Sequence, residues 1–207
     1  MIPMTEMERM LSGRLYIAQG DEIAEAMSRS RRLQQRFNTA DPLDMQTQMQ
    51  ALKELLGAIG EDSFINQTFR CDYGSNICIG RNCFFNYDCI IIDVCPVTIG
   101  DSVLFGPRVC VYTAAHPIDA EIRGAHLEYG RPVTLGSDVW VGGNAVINPG
   151  VTIGDDVVIG AGSVVTKDIP SHVIAVGNPC RVLRPITEAD RKYWSDLRGE
   201  YRRDMGL

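Results

Sequence analysis

His116, one of three histidines in the chain, stands in the segment YTAAHPID, where a regular sequence pattern stops. Imidazole ionises near neutral pH, so a histidine displayed on a loop can act as a general base towards a hydroxyl. The same residue reads equally as a corner histidine bonded to a carboxylate or a main-chain group. His126 and His172 lack such a setting and read as surface residues. A catalytic zinc site needs three ligands converging on one centre. No two of these histidines are spaced as a close pair, so no metal is expected. Lys167, Arg181 and Arg184 gather cations near the end of a chain whose net charge is −6. They suit the phosphates of a nucleotide-like cofactor, or they are solvated surface. The seven cysteines are odd in number and show no paired close spacing, which argues against a disulfide framework and for reduced thiols.

A scaffold for these residues is visible as a six-residue period. From Leu135 the chain divides into LGSDVW, VGGNAV, INPGVT, IGDDVV, IGAGSV and VTKDIP. The first position is always aliphatic (Leu135, Val141, Ile147, Ile153, Ile159, Val165), the second is usually Gly, and the fifth is small or β-branched. Upstream, Tyr73, Ile79, Phe85 and Ile91 hold the first position, with Ile77, Cys83, Cys89 and Cys95 in the fifth. Two extra residues enter around Pro96, and the frame resumes at Ile99, Phe105 and Val111, with Val103, Val109 and Ala115 in the fifth position. It breaks again between His116 and Pro132. A period of six fits neither an amphipathic helix nor an ordinary alternating strand. It fits a solenoid of short strands, three blocks to a triangular coil, in which first-position side chains stack inward and each coil buries its neighbour. The second-position Gly then serves either unusual dihedrals or a close backbone approach. Cys83, Cys89 and Cys95 fall on inward positions and read as small core hydrophobes.

The flanks lack the period. Thr5 and Glu8 form a capping box ahead of a helix ending near Gly13. A second helix is expected from Asp21 to Phe37, and a third from Asp41-Pro42, a cap followed by proline at the first helical position. In that third helix Met45, Met49, Leu52 and Leu56 give an apolar stripe for core packing. This helical segment is expected to lie over the first coil. A helical tail is expected from Thr187 to Tyr201, with Tyr193, Trp194, Leu197 and Tyr201 on one side, packing on its own body or on a neighbouring subunit. The organisation is thus a helical cap over 1–60, a solenoid over 61–186 with an excursion at 117–132, and a helical extension over 187–207.

At 207 residues with 45% hydrophobic content, the chain can bury a full core. Its acidic balance argues against a nucleic-acid or anionic-membrane partner. The first residues are charged without an apolar core, and no apolar run is long enough to span a bilayer. A cytoplasmic protein is expected.

Four segments carry a resemblance: MTEMERMLSGRLY; FRCDYGSNICIGRNCFFNYDCIIIDVCPVTIGD; YTAAHPID; and VWVGGNAVINPGVTIGDDVVIGAGSVVTKDIPSHVIAVGNPCRV. Together they resemble the hexapeptide-repeat acyltransferases, in the branch of maltose and galactoside O-acetyltransferases, over about residues 4–186. The resemblance implies a mainly β fold, a left-handed parallel β-helix of hexapeptide repeats. It also implies a homotrimer with active sites between subunits, acetyl-CoA as acetyl donor, no metal, and a small sugar as acceptor. His116 matches the catalytic base, and Gly143 matches the oxyanion donor through its N–H. Ala161, Thr166 and Lys167 match pantetheine or phosphate contacts, and Arg181 and Arg184 match contacts to the adenosine phosphates. Asp72 and Asn86 match the acceptor pocket, with Asp93 beside them. The loop from Pro117 to Pro132 would reach a neighbouring subunit. Ala18 departs from the acceptor-binding Asp of galactoside-type relatives, which leaves the acceptor open between a sugar and a non-sugar hydroxyl such as that of an amino acid or antibiotic. A non-catalytic scaffold is the remaining reading; it would need neither His116 nor the cationic group.

Overall fold

The computed structural model describes residues 3–207; Met1 and Ile2, part of the N-terminal segment, lie outside the described residues. The six-residue blocks form short strands on three parallel faces. Face 1 holds Ala58–Ile59, Ile77–Ile79, Val97–Ile99, Val133–Leu135 and Thr152–Ile153. Face 2 runs through Phe64–Ile65, Phe84–Phe85, Leu104–Phe105, Trp140–Val141, Val158–Ile159 and Val173–Val176, and ends on the antiparallel strand Arg181–Pro185. Face 3 holds Phe69–Cys71, Cys89–Ile92, Cys110–Tyr112, Val146–Ile147 and Val164–Val165.

First- and fifth-position side chains point into one continuous core. From Leu135 to Ile169 every one of them is buried. Each fully buried aliphatic stabilises by about 1.5–3 kcal/mol relative to exposure, so the stack of coils is the main source of stability. The second-position glycines answer a close approach between coils: a methyl on Gly142 would lie 2.5 Å from the Ala161 nitrogen of the next coil. Positive φ falls instead on the fourth position, at Asp138 (59°), Asn144 (58°) and Asp156 (52°). Asn and Asp enter that region more readily than other side chains.

Strand partners lie twenty positions apart in the first coils (Ile59, Ile79, Ile99) and eighteen apart later (Leu135, Ile153). All the extra length sits where face 3 turns into face 1. That corner corrects three inward assignments. Tyr73 and Cys95 are buried, but in a second, smaller cluster with Met10, Tyr16, Ile23 and Val94. Ala115 is only half-buried, and Thr113 takes the buried place, so the frame breaks two residues earlier than the repeat suggests.

The first helix, α1 (Glu6–Leu11), carries the Thr5–Glu8 capping box. Helix α2 covers Asp21–Thr39, and α3 covers Met45–Leu55. The start of α3 is a correction. Asp44 is its N-cap, accepting from the Thr47 N–H, while Asp41 caps a turn through the Leu43 N–H. Met45 is exposed, and the buried face is Gln48, Ala51, Leu52 and Leu55. Phe37 of α2 and the apolar face of α3 close the first coil, joining the main core with Ile65 and Phe69. The excursion contains α4 (Ala120–Gly124) and the strand Leu127–Gly130. That strand pairs antiparallel with both Ala114–Ala115 and Tyr16–Ile17, tying the second half of the loop to its own chain. Its first half projects, with Ile118 96% exposed. The last helix, α5 (Glu188–Met205), is capped by Thr187 and buries no residue. No helix among the described residues is long and apolar enough to cross a membrane.

Candidate active site

The corner between faces 3 and 1 positions His116. The chain leaves the coil after Thr113, whose hydroxyl donates to the Ile92 carbonyl (2.8 Å) and accepts from the Cys95 N–H (3.0 Å). His116 then lines a cleft of about 390 Å³ with Ile17, Ala18, Gln19, Arg123, His126 and Glu128. Arg123 fixes the main chain beyond His116, donating to the carbonyls of Pro117 (2.7 Å) and Ile118 (2.9 Å). His126 is exposed, as the sequence suggests, yet belongs to this cleft. His172 is an exposed residue beside Asp156 (3.1 Å).

Asp72 belongs to the same corner. Its carboxyl is pushed above the usual range by burial and by the negative charge of Glu128, with Arg31 opposing. Glu128 is the residue that sequence reasoning missed. It faces Tyr16 across the antiparallel pairing, and burial together with Glu128 raises the Tyr16 phenol. Only that pairing, long-range in sequence, brings it to the cleft.

Asp93 is placed otherwise than the resemblance implies. Its side chain is 0% exposed, and one carboxylate oxygen accepts from the N–H groups of Asp72 (3.0 Å) and Tyr73 (2.9 Å). The other oxygen faces the Asn76 N–H at 3.4 Å. A group so enclosed positions Asp72 and touches no acceptor. Burial pushes its carboxyl from the ordinary 3.8 up to about 7. The unfolded chain ionises this group at the ordinary value and the folded chain only near neutrality. Its contribution to stability is therefore fully present below the lower value, is lost as pH rises towards the upper one, and is flat above it. Parallel thermal unfolding of the wild type and Asp93→Asn, from about pH 4 to about pH 8, is expected to show the wild type's advantage shrinking up to neutrality. A pH-independent gap would contradict the raised ionisation.

The corner between faces 2 and 3 gathers a second set. Asn86, Gly106, Gly142 and Gly160 stack along it, each N–H donating to the coil above, to Phe105, Val141, Ile159 and Ala175 respectively. The glycines leave a trough without side chains. Gly143 follows in this row and is half-buried. Among the described residues its N–H has no acceptor, while its carbonyl accepts from Gly162 (2.9 Å). Ala161 lies one coil further, exposed. The structure thus brings Asn86, Gly143 and Ala161 together, but on a different edge of the prism from His116, with face 3 between them.

Thr166 and Lys167 are exposed where face 3 ends, and Arg181 is exposed at the start of the antiparallel strand beside Val176. Arg184 is otherwise engaged. Its guanidinium grips Asp190 of α5 bidentately (2.6 and 2.9 Å), which holds the Asp190 carboxyl well below its usual range. It therefore anchors α5 instead of standing free for a phosphate. Burial raises the thiols of Cys83, Cys89 and Cys95, as expected of packing groups and not of nucleophiles. Among the described residues no three His, Cys, Asp or Glu side chains converge to hold a metal.

Comparison with known proteins agrees with this architecture. Residues 9–60 match the maltose acetyltransferase hexapeptide capping motif, and residues 132–167 match the bacterial transferase hexapeptide model of six repeats. A galactoside O-acetyltransferase of Escherichia coli is 42% identical, the match covering 93% of this chain and 94% of that one. The crystal structure of a maltose O-acetyltransferase from Clostridium difficile is similar at a TM-score of 0.88 and 49% identity, covering 89% of this chain and 98% of that one. A hexapeptide-repeat acetyltransferase from Vibrio cholerae, solved with acetyl coenzyme A, has a TM-score of 0.83 and 38% identity, covering 89% of this chain and 100% of that one. With its capped solenoid, its repeat and these matches over most of its length, the chain belongs to the hexapeptide-repeat acetyltransferases, in the maltose and galactoside O-acetyltransferase family.

Proposed function

We propose that this protein transfers the acetyl group of acetyl-CoA to a hydroxyl of a sugar or glycoside of the maltose or galactoside kind. The observation that carries the reading is His116 at the rim of a solvent-open cleft, in a chain whose relatives are acetyltransferases of such sugars. His116 takes the proton of the acceptor hydroxyl as its oxygen attacks the thioester carbonyl. The carbonyl oxygen becomes an oxyanion, stabilised by the Gly143 N–H. Collapse expels CoA as thiolate, which recovers the proton from the imidazolium. The acetyl group passes directly, with no acyl-enzyme. The pantetheine arm lies in the trough past Ala161, with Thr166, Lys167 and Arg181 towards the phosphates, and Asp72 and Asn86 line the acceptor side.

His116 and Gly143 lie on different edges of one chain, so a second copy is needed to bring them together. A homotrimer does this as a closed head-to-tail ring, each trough edge meeting a neighbour's His116 edge. Exposed apolar surface supports it: Phe84, Leu104 and Trp140 on face 2, Ile118 in the excursion, and Tyr193, Trp194, Leu197 and Tyr201 along α5. All seven cysteines are free, which suits a cytosolic location.

CoA release from acetyl-CoA with maltose, glucose, a β-galactoside, serine and a streptogramin-type antibiotic tests the reading. Release with a sugar supports it. Release with serine or the antibiotic alone keeps the chemistry and overturns the sugar acceptor. No release with any of them, and no acetyl-CoA binding, makes the chain a scaffold.

A further inference from the structure

The cleft around His116 contains one carboxylate among the described residues, that of Glu128. Its strand, Leu127–Gly130, is held on both sides, by Tyr16–Ile17 and by Ala114–Ala115. A side chain based there is more firmly placed than one on a free loop. Glu128 is half-buried, and among the described residues no Lys, Arg or His lies within ion-pair distance of it. Arg123, also in the cleft, gives its Nη1 to two main-chain carbonyls and makes no ion pair with Glu128. An ionised carboxylate is a pure hydrogen-bond acceptor with about four lone-pair positions, and bonds from hydroxyls to it are stronger than neutral ones. A carboxylate with the Tyr16 phenol beside it but no cation partner, in the cleft of the proposed base, is suited to a polyol, which arrives with O–H donors and no charge.

Resting on the acetyl-transfer reading above, we propose that Glu128 is the acceptor-anchoring residue of this enzyme: its carboxylate accepts hydrogen bonds from the hydroxyls next to the one that is acetylated. It sets which hydroxyl faces His116 and takes no part in the proton transfer. Ala18 lies in the same cleft, one residue past the Tyr16–Ile17 pairing, and its methyl leaves the acceptor end of the site to Glu128.

The test is steady-state kinetics of CoA release by the full-length protein with maltose and with methyl β-galactoside, for wild type, Glu128→Gln and the double variant Ala18→Asp with Glu128→Gln. Gln keeps the size of the side chain and an oxygen for the Tyr16 phenol, so the fold is preserved; thermal unfolding checks this. Glu128→Gln is expected to raise the acceptor KM about tenfold or more, as for loss of a charged hydrogen-bond acceptor. The kcat at saturating acceptor should hold within about threefold and the acetyl-CoA KM should not move. Returning a carboxylate from the neighbouring strand, at Ala18→Asp, is expected to recover part of the acceptor KM. A deoxy acceptor lacking the anchored hydroxyl should be poor for wild type and no poorer for Glu128→Gln than its parent sugar. An unchanged acceptor KM overturns the proposal. So does a fall in kcat alone, which would make Glu128 the orienting partner of His116, or a parallel rise in both KM values, which would make it structural. A wild type that acetylates no hydroxyl removes the acetyl-transfer reading itself and this proposal with it. An active wild type with an unaffected Glu128→Gln removes this proposal alone.

Discussion

Acetyl transfer by His116→Ala is expected to fall by about a hundredfold or more at saturating substrates, the usual cost of losing a positioned general base. The loss should appear in kcat and in kcat/KM equally, because the proton moves only in the transition state. Acetyl-CoA affinity should persist, since of the residues proposed to hold it Gly143 and Ala161 lie on another edge of the prism, and Thr166 and Lys167 lie two coils beyond His116 on its own edge. The fold should persist as well: His116 is exposed, and its departure removes no buried group. The decisive comparison is single-turnover acetylation of an accepted sugar by the two proteins, with acetyl-CoA binding followed separately. A rate within a fewfold of wild type would take His116 out of the mechanism and return it to the reading of a corner residue.

Phe105→Ala is expected to destabilise the protein by about 3–5 kcal/mol, the range for a large aromatic removed from a close-packed interior. Phe105 is 1% exposed, and its ring meets Phe85 of the preceding coil edge-on at 4.4 Å and 64°. The lumen is narrow and lined on every side by backbone committed to inter-coil hydrogen bonds, so neighbours have little freedom to collapse into the void. Phe105 also precedes Gly106 in the trough, and a slackened coil there should loosen Gly143 above it. Urea unfolding measures the loss; a change below about 1 kcal/mol would mean that the core repacks easily.

The regular part of this fold was legible because six-residue blocks repeat one inward side chain in every coil, so a single local rule fixes the position of Leu135 as surely as that of Ile159. Where the chain departs from the rule, local reading lost its hold. Tyr73 and Cys95 are apolar and buried as expected, but they sit in the lengthened corner and pack under α1. Asp41-Pro42 offers a plausible helix start, yet Asp44 offers another three residues on, and only packing against the first coil selects between them. Asp93 looks like a site residue by type and neighbourhood; that its oxygens are consumed by main-chain donors from the coil below is a property of stacking. Glu128 and the Arg184–Asp190 pair depend on antiparallel pairings and helix docking that no periodicity announces. His116 was found by the opposite route, since a break in a strict pattern is itself a signal.

Two edges of the prism keep the six-residue step without exception, while the third absorbs twenty-residue coils, eighteen-residue coils and a whole excursion with no change of register along the parallel strands of face 1. Each face restarts from its own inward side chain, so material added at that edge costs the core nothing. The molecule thereby divides its labour by tolerance: the Gly143–Ala161 trough of the proposed donor site is cut into an invariant edge, whereas His116, Asp72 and Glu128 stand on the edge where sequence can be inserted, lengthened or exchanged freely. An engineer seeking a new acceptor would graft at 117–132 and leave the donor chemistry untouched.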